Sequence, residues 1–113
     1  MTKPTSPYEL DFIFEALAHK HRRDIIYALS LQPHSINQLA SQQNLSLPAI
    51  HKHIDVLEKA HFILRKKIGR INFLAINRKS LRVLNDWIMQ YHPYWGNDKE
   101  TLENYVEFFK KKK

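Results

Sequence analysis

Four cations, Arg65, Lys66, Lys67 and Arg70, fall within six residues of one another. Ammonium and guanidinium groups at that density displace the counterions condensed on a polyphosphate, so their chemistry is phosphate contact. The other reading is a protected sheet edge, because exposed lysines also block edge-to-edge pairing. Upstream, Ser46-Leu47-Pro48 leads into His51, Lys52, Asp55 and Lys59. Such side chains can meet base edges and phosphate oxygens, or can form an ordinary solvated helix face. The remaining candidates are histidines. His19 and His21 are two apart and would point away from each other on a helix, which favours surface or capping roles over a shared metal. Glu58 and His61 are three apart, but one such pair lacks the further ligands a metal site needs.

Composition narrows the chemistry. The chain has 113 residues, with 18 Lys and Arg against 11 Asp and Glu, a net charge of +7. That length suits a single domain with one modest core, spanning residues 1–113. The positive excess favours a polyanionic partner, although part of it sits in the terminal Lys110–Lys113 run. Cysteine is absent, which removes disulfides, thiolate metal sites and thiol redox sensing. With two glycines, Gly69 and Gly96, there is no glycine-rich phosphate loop. No nucleophile, base and orienting acid occur at a recognisable spacing and no cofactor fingerprint is present, so the expectation is a non-enzyme without cofactor or metal. No apolar run approaches the ~18 residues of a membrane span and no signal-peptide shape opens the chain, so a soluble, cytoplasmic protein with no membrane partner is expected.

The candidate residues need elements to hold them. Ser35 and Gln38 have capping-box spacing, and Ile36, Leu39 and Ala40 follow at helical spacing. Asn44-Leu45-Ser46 interrupts the pattern, and Ser46 before Leu47-Pro48 starts a second helix. Along that helix Ile50, Ile54 and Leu57 fall in one narrow sector, while Pro48, His51, Lys52, Asp55 and Lys59 cluster opposite. Two β-rich runs, 61–68 and 71–76, bracket Gly69-Arg70 as a hairpin. Before this unit, Ser6-Pro7-Tyr8-Glu9 reads as a helix start continued by Leu10, Ile13, Phe14 and Leu17, with Phe12 off that face. Arg22 to Leu31 reads as a buried helix carrying Ile25, Ile26, Tyr27 and Leu29, ended by Pro33. After the hairpin, Asn77 can cap a helix from Arg78 with Leu81, Leu84, Ile88 and Tyr91 as a coiled-coil-like seam. His92 to Gly96 breaks it. Asn97 with Glu100 offers another capping box before Leu102, Tyr105, Val106 and Phe109. The C-terminal aromatics, Trp87, Tyr91, Tyr94, Trp95, Tyr105, Phe108 and Phe109, suit a core or dimer interface better than a ligand pocket.

Three segments carry a family resemblance. Leu17-Ala18 with Arg22, Ile25-Ile26 and Leu29, then Leu45 through Ala60, then Gly69-Arg70 with Phe73-Leu74 and Ile76, are similar to the ArsR family of dimeric winged-helix repressors. The likeness spans about residues 10–90 and lies with the non-metal-sensing branch, since the cysteine pairs and the Asp and His ligands of the metal sensors are missing. It implies a mostly α fold with a small β-hairpin: a winged helix-turn-helix, with the helix-turn-helix at about 36–60, the wing at about 62–76 and a C-terminal helical dimerisation segment at about 78–110. It implies DNA contacts at Ser46, Leu47, Pro48, His51 and Lys52 on the recognition helix and at Lys66, Lys67 and Arg70 on the wing. It also implies a homodimer through the N- and C-terminal helices, for which Leu10, Ile13, Phe14, Leu81, Leu84, Ile88, Tyr91 and Trp95 are the candidates. Four positions depart from the family pattern: His61 replaces a glycine, Asp55 a lysine or arginine, His51 a serine, and His19-Lys20-His21 an Asp-Pro-Thr stretch. The function expected is sequence-specific, dimeric binding of double-stranded, palindromic operator DNA as a repressor. The alternative is a winged-helix interaction module whose basic face docks an acidic partner.

Overall fold

The computed structural model describes residues 7–112. The polar stretch Met1–Thr5, the serine cap expected at Ser6 and the last residue of the lysine run lie outside them. Six helices and three short strands follow one another: α1 (Pro7–Leu17), α2 (Lys20–Leu31), β1 (His34–Ser35), α3 (Ile36–Gln43), α4 (Leu47–Lys59), β2 (Ile63–Ile68), β3 (Ile71–Ile76), α5 (Lys79–Met89) and α6 (Thr101–Lys111). The fold is a winged helix-turn-helix, mostly α, with one small antiparallel sheet.

The helix-turn-helix forms from its caps inward. Ser35 Oγ accepts from the Gln38 N–H at 3.1 Å, and Gln38 Oε1 accepts from the Ser35 N–H at 2.8 Å, closing the capping box. Asn44 ends α3 in the left-handed conformation, φ 55°, which its short polar side chain tolerates. Ser46 Oγ then accepts from the Ala49 N–H at the head of α4, with Pro48 in the first turn, where its missing N–H costs nothing. Ile50, Ile54 and Leu57 are wholly buried and pack with Ile13 and Ala16 of α1, Ile25 and Leu29 of α2, Leu39 of α3 and Leu74 of β3.

The exit from α4 fixes the wing. His61 takes φ 59°, at the position where the resemblance has glycine, and the Phe62 N–H returns to the Leu57 carbonyl at 3.0 Å. Phe62 is then sealed in the core, its carbonyl accepting from the Asn77 N–H at 2.8 Å. β2 and β3 pair antiparallel from Ile63↔Ile76 to Ile68↔Ile71. Gly69 has φ 63° while Arg70 keeps a negative φ, the geometry of a type II′ turn, whose first central residue is glycine. β1 adds to the other edge of β3, giving the order β1-β3-β2. A two-residue strand has no periodicity, so it left no mark in the sequence.

Several expectations are corrected. Tyr27 is not part of the buried face of α2 but is 68% exposed. At ~100° per residue it sits about 150° from the centre of Ile25, Ile26 and Leu29. Ile13 is wholly buried in the core of its own subunit, so it is not a dimer contact. The α5 seam is shorter than its spacing suggested: Leu81 and Leu84 are half-buried against the core, Ile88 is exposed, and Tyr91 lies past the helix end. Asn77 does bind the head of α5, its Oδ1 accepting from the Lys79 N–H at 3.1 Å. Ser80 Oγ donates to the Ala60 carbonyl, tying α5 to the end of α4. Asn97 Oδ1 accepts from the Glu100 N–H, but Glu100 returns to the Asn97 side-chain amide rather than to its backbone, so the second capping box is only half formed.

The C-terminal end projects. The radius of gyration is 19.9 Å and the longest dimension 72 Å, against about 13 Å for the radius of a compact chain of this length. No residue of α6 is buried, and Leu102, Tyr105 and Val106 are exposed together on it. Trp95 folds back on that helix, edge-on to Tyr105 at 5.2 Å and tilted against Phe108 at 5.1 Å.

The His61 geometry yields a stability prediction. A left-handed non-glycine residue costs on the order of 1 kcal/mol, partly offset by the greater chain entropy of glycine when unfolded. His61→Gly is expected to raise unfolding free energy by a few tenths to about 1 kcal/mol, read as a higher urea midpoint at unchanged m-value.

Candidate nucleic-acid interface

Burial of the Ile50-Ile54-Leu57 stripe turns the other side of α4 to solvent. Ser46, Leu47, Pro48, His51, Lys52, Asp55 and Lys59 are all exposed there. The structure brings three of the anticipated contact residues into one cleft. Leu47 and His51 at the head of α4 line it together with Arg70 from the wing tip, Ser35, Asn37 and Asn72, enclosing about 160 Å³. Ser46, Pro48 and Lys52 do not line this cleft; Lys52 is displaced from His51 by one residue, ~100° around the helix.

The wing cations divide by role. Arg65 is held by Glu58 of α4 through a 2.5 Å ion pair, both side chains about one-third exposed. A pair that wet adds at most about 1 kcal/mol; its effect is to steady the wing against α4. Among the described residues, Lys66, Lys67 and Arg70 carry no ion pair. Strand alternation sends Lys66 and Lys67 to opposite faces of the hairpin, so they cannot grip one phosphate side by side. The run of four cations therefore separates into one structural arginine, two lysines on different faces, and Arg70 at the turn.

Sequence reasoning missed a histidine cluster. His19 is not inside a helix but is the extended N-cap of α2, and its Nδ1 accepts from the His21 N–H at 3.2 Å. That geometry folds the His19 ring alongside His21, centroids 5.4 Å apart, instead of away from it. The ring of His53, from α4, joins them at 4.6 Å from His19 and 5.7 Å from His21. Arg22 braces the group: Nη1 donates to His53 Nδ1 at 3.2 Å, Nε to the Ala16 carbonyl at 3.0 Å, and Nη2 to the Glu15 carbonyl at 2.8 Å. His21 Nδ1 lies 2.8 Å from Gln43 Oε1. Because Nδ1 is the acceptor in both His19 and His53, Nε2 bears the hydrogen in each neutral ring, and neither offers it to a metal while these bonds stand. Among the described residues no group of three His, Cys, Asp or Glu is arranged to hold a metal ion. Burial, then the positive neighbours His19, Arg22 and His21, depress the His53 pKa. Nothing in the sequence pointed to this meeting, since His53 lies more than thirty residues from its partners.

Comparison with known proteins agrees with the geometry. A helix-turn-helix domain family matches residues 17–65, which covers α2 through the first half of β2. The transcriptional repressor SdpR of Bacillus subtilis is 24% identical over 86 residues, 76% of this chain and 96% of that protein. A crystal structure of an ArsR family transcriptional regulator is 32% identical, covers 78% of this chain and 91% of its own, and superposes with a TM-score of 0.73. An ArsR-like transcriptional regulator from Rhodococcus sp. RHA1 is 25% identical over 74% of this chain and 76% of its own, with a TM-score of 0.69.

The depressed pKa of His53 makes stability pH-dependent with a definite sign. A histidine whose folded pKa is depressed binds a proton less readily in the native than in the unfolded chain, so stability is full above the ordinary value of 6.5 and falls as the pH drops below it. Urea unfolding between pH 8 and pH 5 is expected to show this decline, and His53→Asn to flatten it.

Proposed function

The chain belongs to the ArsR family of transcriptional regulators, and from that membership we propose that it is a homodimeric repressor covering a palindromic operator in the cytoplasm. It is a DNA-binding regulator rather than an enzyme. In this proposal α4 enters the major groove, where Ser46, Leu47, Pro48, His51 and Lys52 meet base edges and phosphates, and the wing follows the backbone through Lys66, Lys67 and Arg70. The observation that carries it is the cleft lined by both Leu47 and His51 of α4 and Arg70 of the wing, beside lysines that have no ion pair among the described residues.

A dimer is supported by the apolar surface of α1 and α5. Phe14 stands edge-on to Trp87 at 5.0 Å and Trp87 to Tyr91 at 5.3 Å. Phe14, Ile88 and Tyr91 are exposed, and Leu10, Leu81 and Leu84 are half-buried; Trp95, also a candidate contact, packs instead on α6. Apolar surface of this extent on a lone subunit marks an interface. Two subunits joined there would offer two α4 helices, to be spaced about 34 Å apart for successive major grooves. The 1–113 chain then acts as one winged unit, its C-terminal helices serving dimerisation. The operator is expected to lack any bound cofactor requirement.

Selecting bound fragments from the source genome and titrating the best duplex by fluorescence anisotropy tests the DNA contact. Affinity should fall steeply with salt, and Lys52→Ala should weaken binding and reduce the log–log salt slope by about 1. Failure to find salt-sensitive affinity for any duplex would overturn the reading. For the dimer, Ile88→Asp should convert the mass measured by light scattering from two chains to one.

A further inference from the structure

The wing has two faces of different character. Ile63, Arg65 and Lys67 share one with Leu74 and Ile76, and at its base Ile63 and Leu74 are buried in the core. Leu64, Lys66 and Ile68 share the other with Phe73 and Ala75. An antiparallel sheet open on one side carries polar residues there. Here Leu64 is 55% and Ile68 57% exposed, and with Pro33, Phe73 and Ala75 they line a shallow depression of about 370 Å³. Its charged members are Arg65, paired with Glu58, and Lys66; among the described residues the Lys66 ammonium has no ion pair and no acid lines the depression.

A duplex does not account for this surface. Leu64 lies four residues from Ile68, about 13 Å back from the wing tip, so DNA held by the turn leaves the base of the face uncovered. Solvation does not explain it either, because four apolar side chains on a water-facing sheet weaken solubility and invite association. Apolar contact around one unpaired cation is the complement of an amphipathic segment that bears a carboxylate between apolar residues.

We propose that the outer face of the wing, formed by Leu64, Lys66, Ile68, Phe73 and Ala75 with Pro33, is a docking site for an acidic amphipathic segment of a partner protein. Its apolar residues lie on Leu64, Ile68 and Phe73, and its carboxylate pairs with Lys66. The site does not overlap the cleft of Leu47, His51 and Arg70, but it shares Lys66 with the wing contacts proposed above, so a partner docked here competes with the duplex for that one ammonium.

The probe is a soluble synthetic peptide of repeating Leu-Ser-Asp-Ser, whose leucines and aspartates share one face of an extended strand, titrated into the protein and followed by amide chemical shifts. Shifts are expected at Leu64, Lys66, Ile68, Phe73 and Ala75. Leu64→Ser should weaken the peptide roughly tenfold, the loss of part of one buried leucine, and Lys66→Glu should abolish binding. Leu64→Ser should leave duplex affinity unchanged, so loss of peptide binding and loss of DNA binding are read separately. Any of three results overturns the proposal: no shifts on this face, equal binding of the same peptide with lysine in place of aspartate, or a change in oligomeric mass on Leu64→Ser, which would assign the face to a second copy of the chain.

Discussion

Burial of one stripe of α4 decides which of its side chains face solvent. Ile50, Ile54 and Leu57 are wholly enclosed by α1, α2, α3 and β3. A helix presents its residues at fixed angles, so sealing these three inside fixes which side chains must face out. His51, Lys52, Asp55 and Lys59 are exposed as a consequence. Each enclosed aliphatic side chain contributes about 1.5–3 kcal/mol, more than any exposed charge on the opposite side can offer, so the polar residues follow the core.

The same helix hands its orientation to the wing. The left-handed turn at His61, the enclosure of Phe62 and the bond from Ser80 to the Ala60 carbonyl join α4, β2 and α5 at a single corner. The Arg65–Glu58 pair adds a second tie. These constraints bring the Gly69-Arg70 turn to the head of α4, and with it the guanidinium that shares a cleft with His51. At the other end of the helix-turn-helix, Arg22 collects carbonyls from the last turn of α1 and the ring of His53, so three helices meet around one cation.

Charge and apolarity are thus distributed by strand and helix geometry rather than by position in the chain. Adjacent lysines on β2 point to opposite sides, and one of them sits among exposed aliphatic groups. The C-terminal helices carry aromatic residues that their own subunit does not cover, and the chain is correspondingly long, 72 Å from end to end.

Much of this was legible in the residues themselves. Helix starts at Ser35 and Ser46, the α4 stripe and the hairpin around Gly69 all arise from interactions within a few residues, so local spacing encodes them. The left-handed position at His61 was marked only by the family resemblance, which has glycine there. The sheet edge supplied by His34 and Ser35 was invisible because two residues carry no period. The outward angle of Tyr27 follows from helical spacing, but the enclosure of Ile13, the diversion of Arg65 into an ion pair and the gathering of His19, His21 and His53 were decided only by the tertiary structure. Each depends on which distant element arrives alongside, and a burial preference states that a side chain will be covered without stating by what.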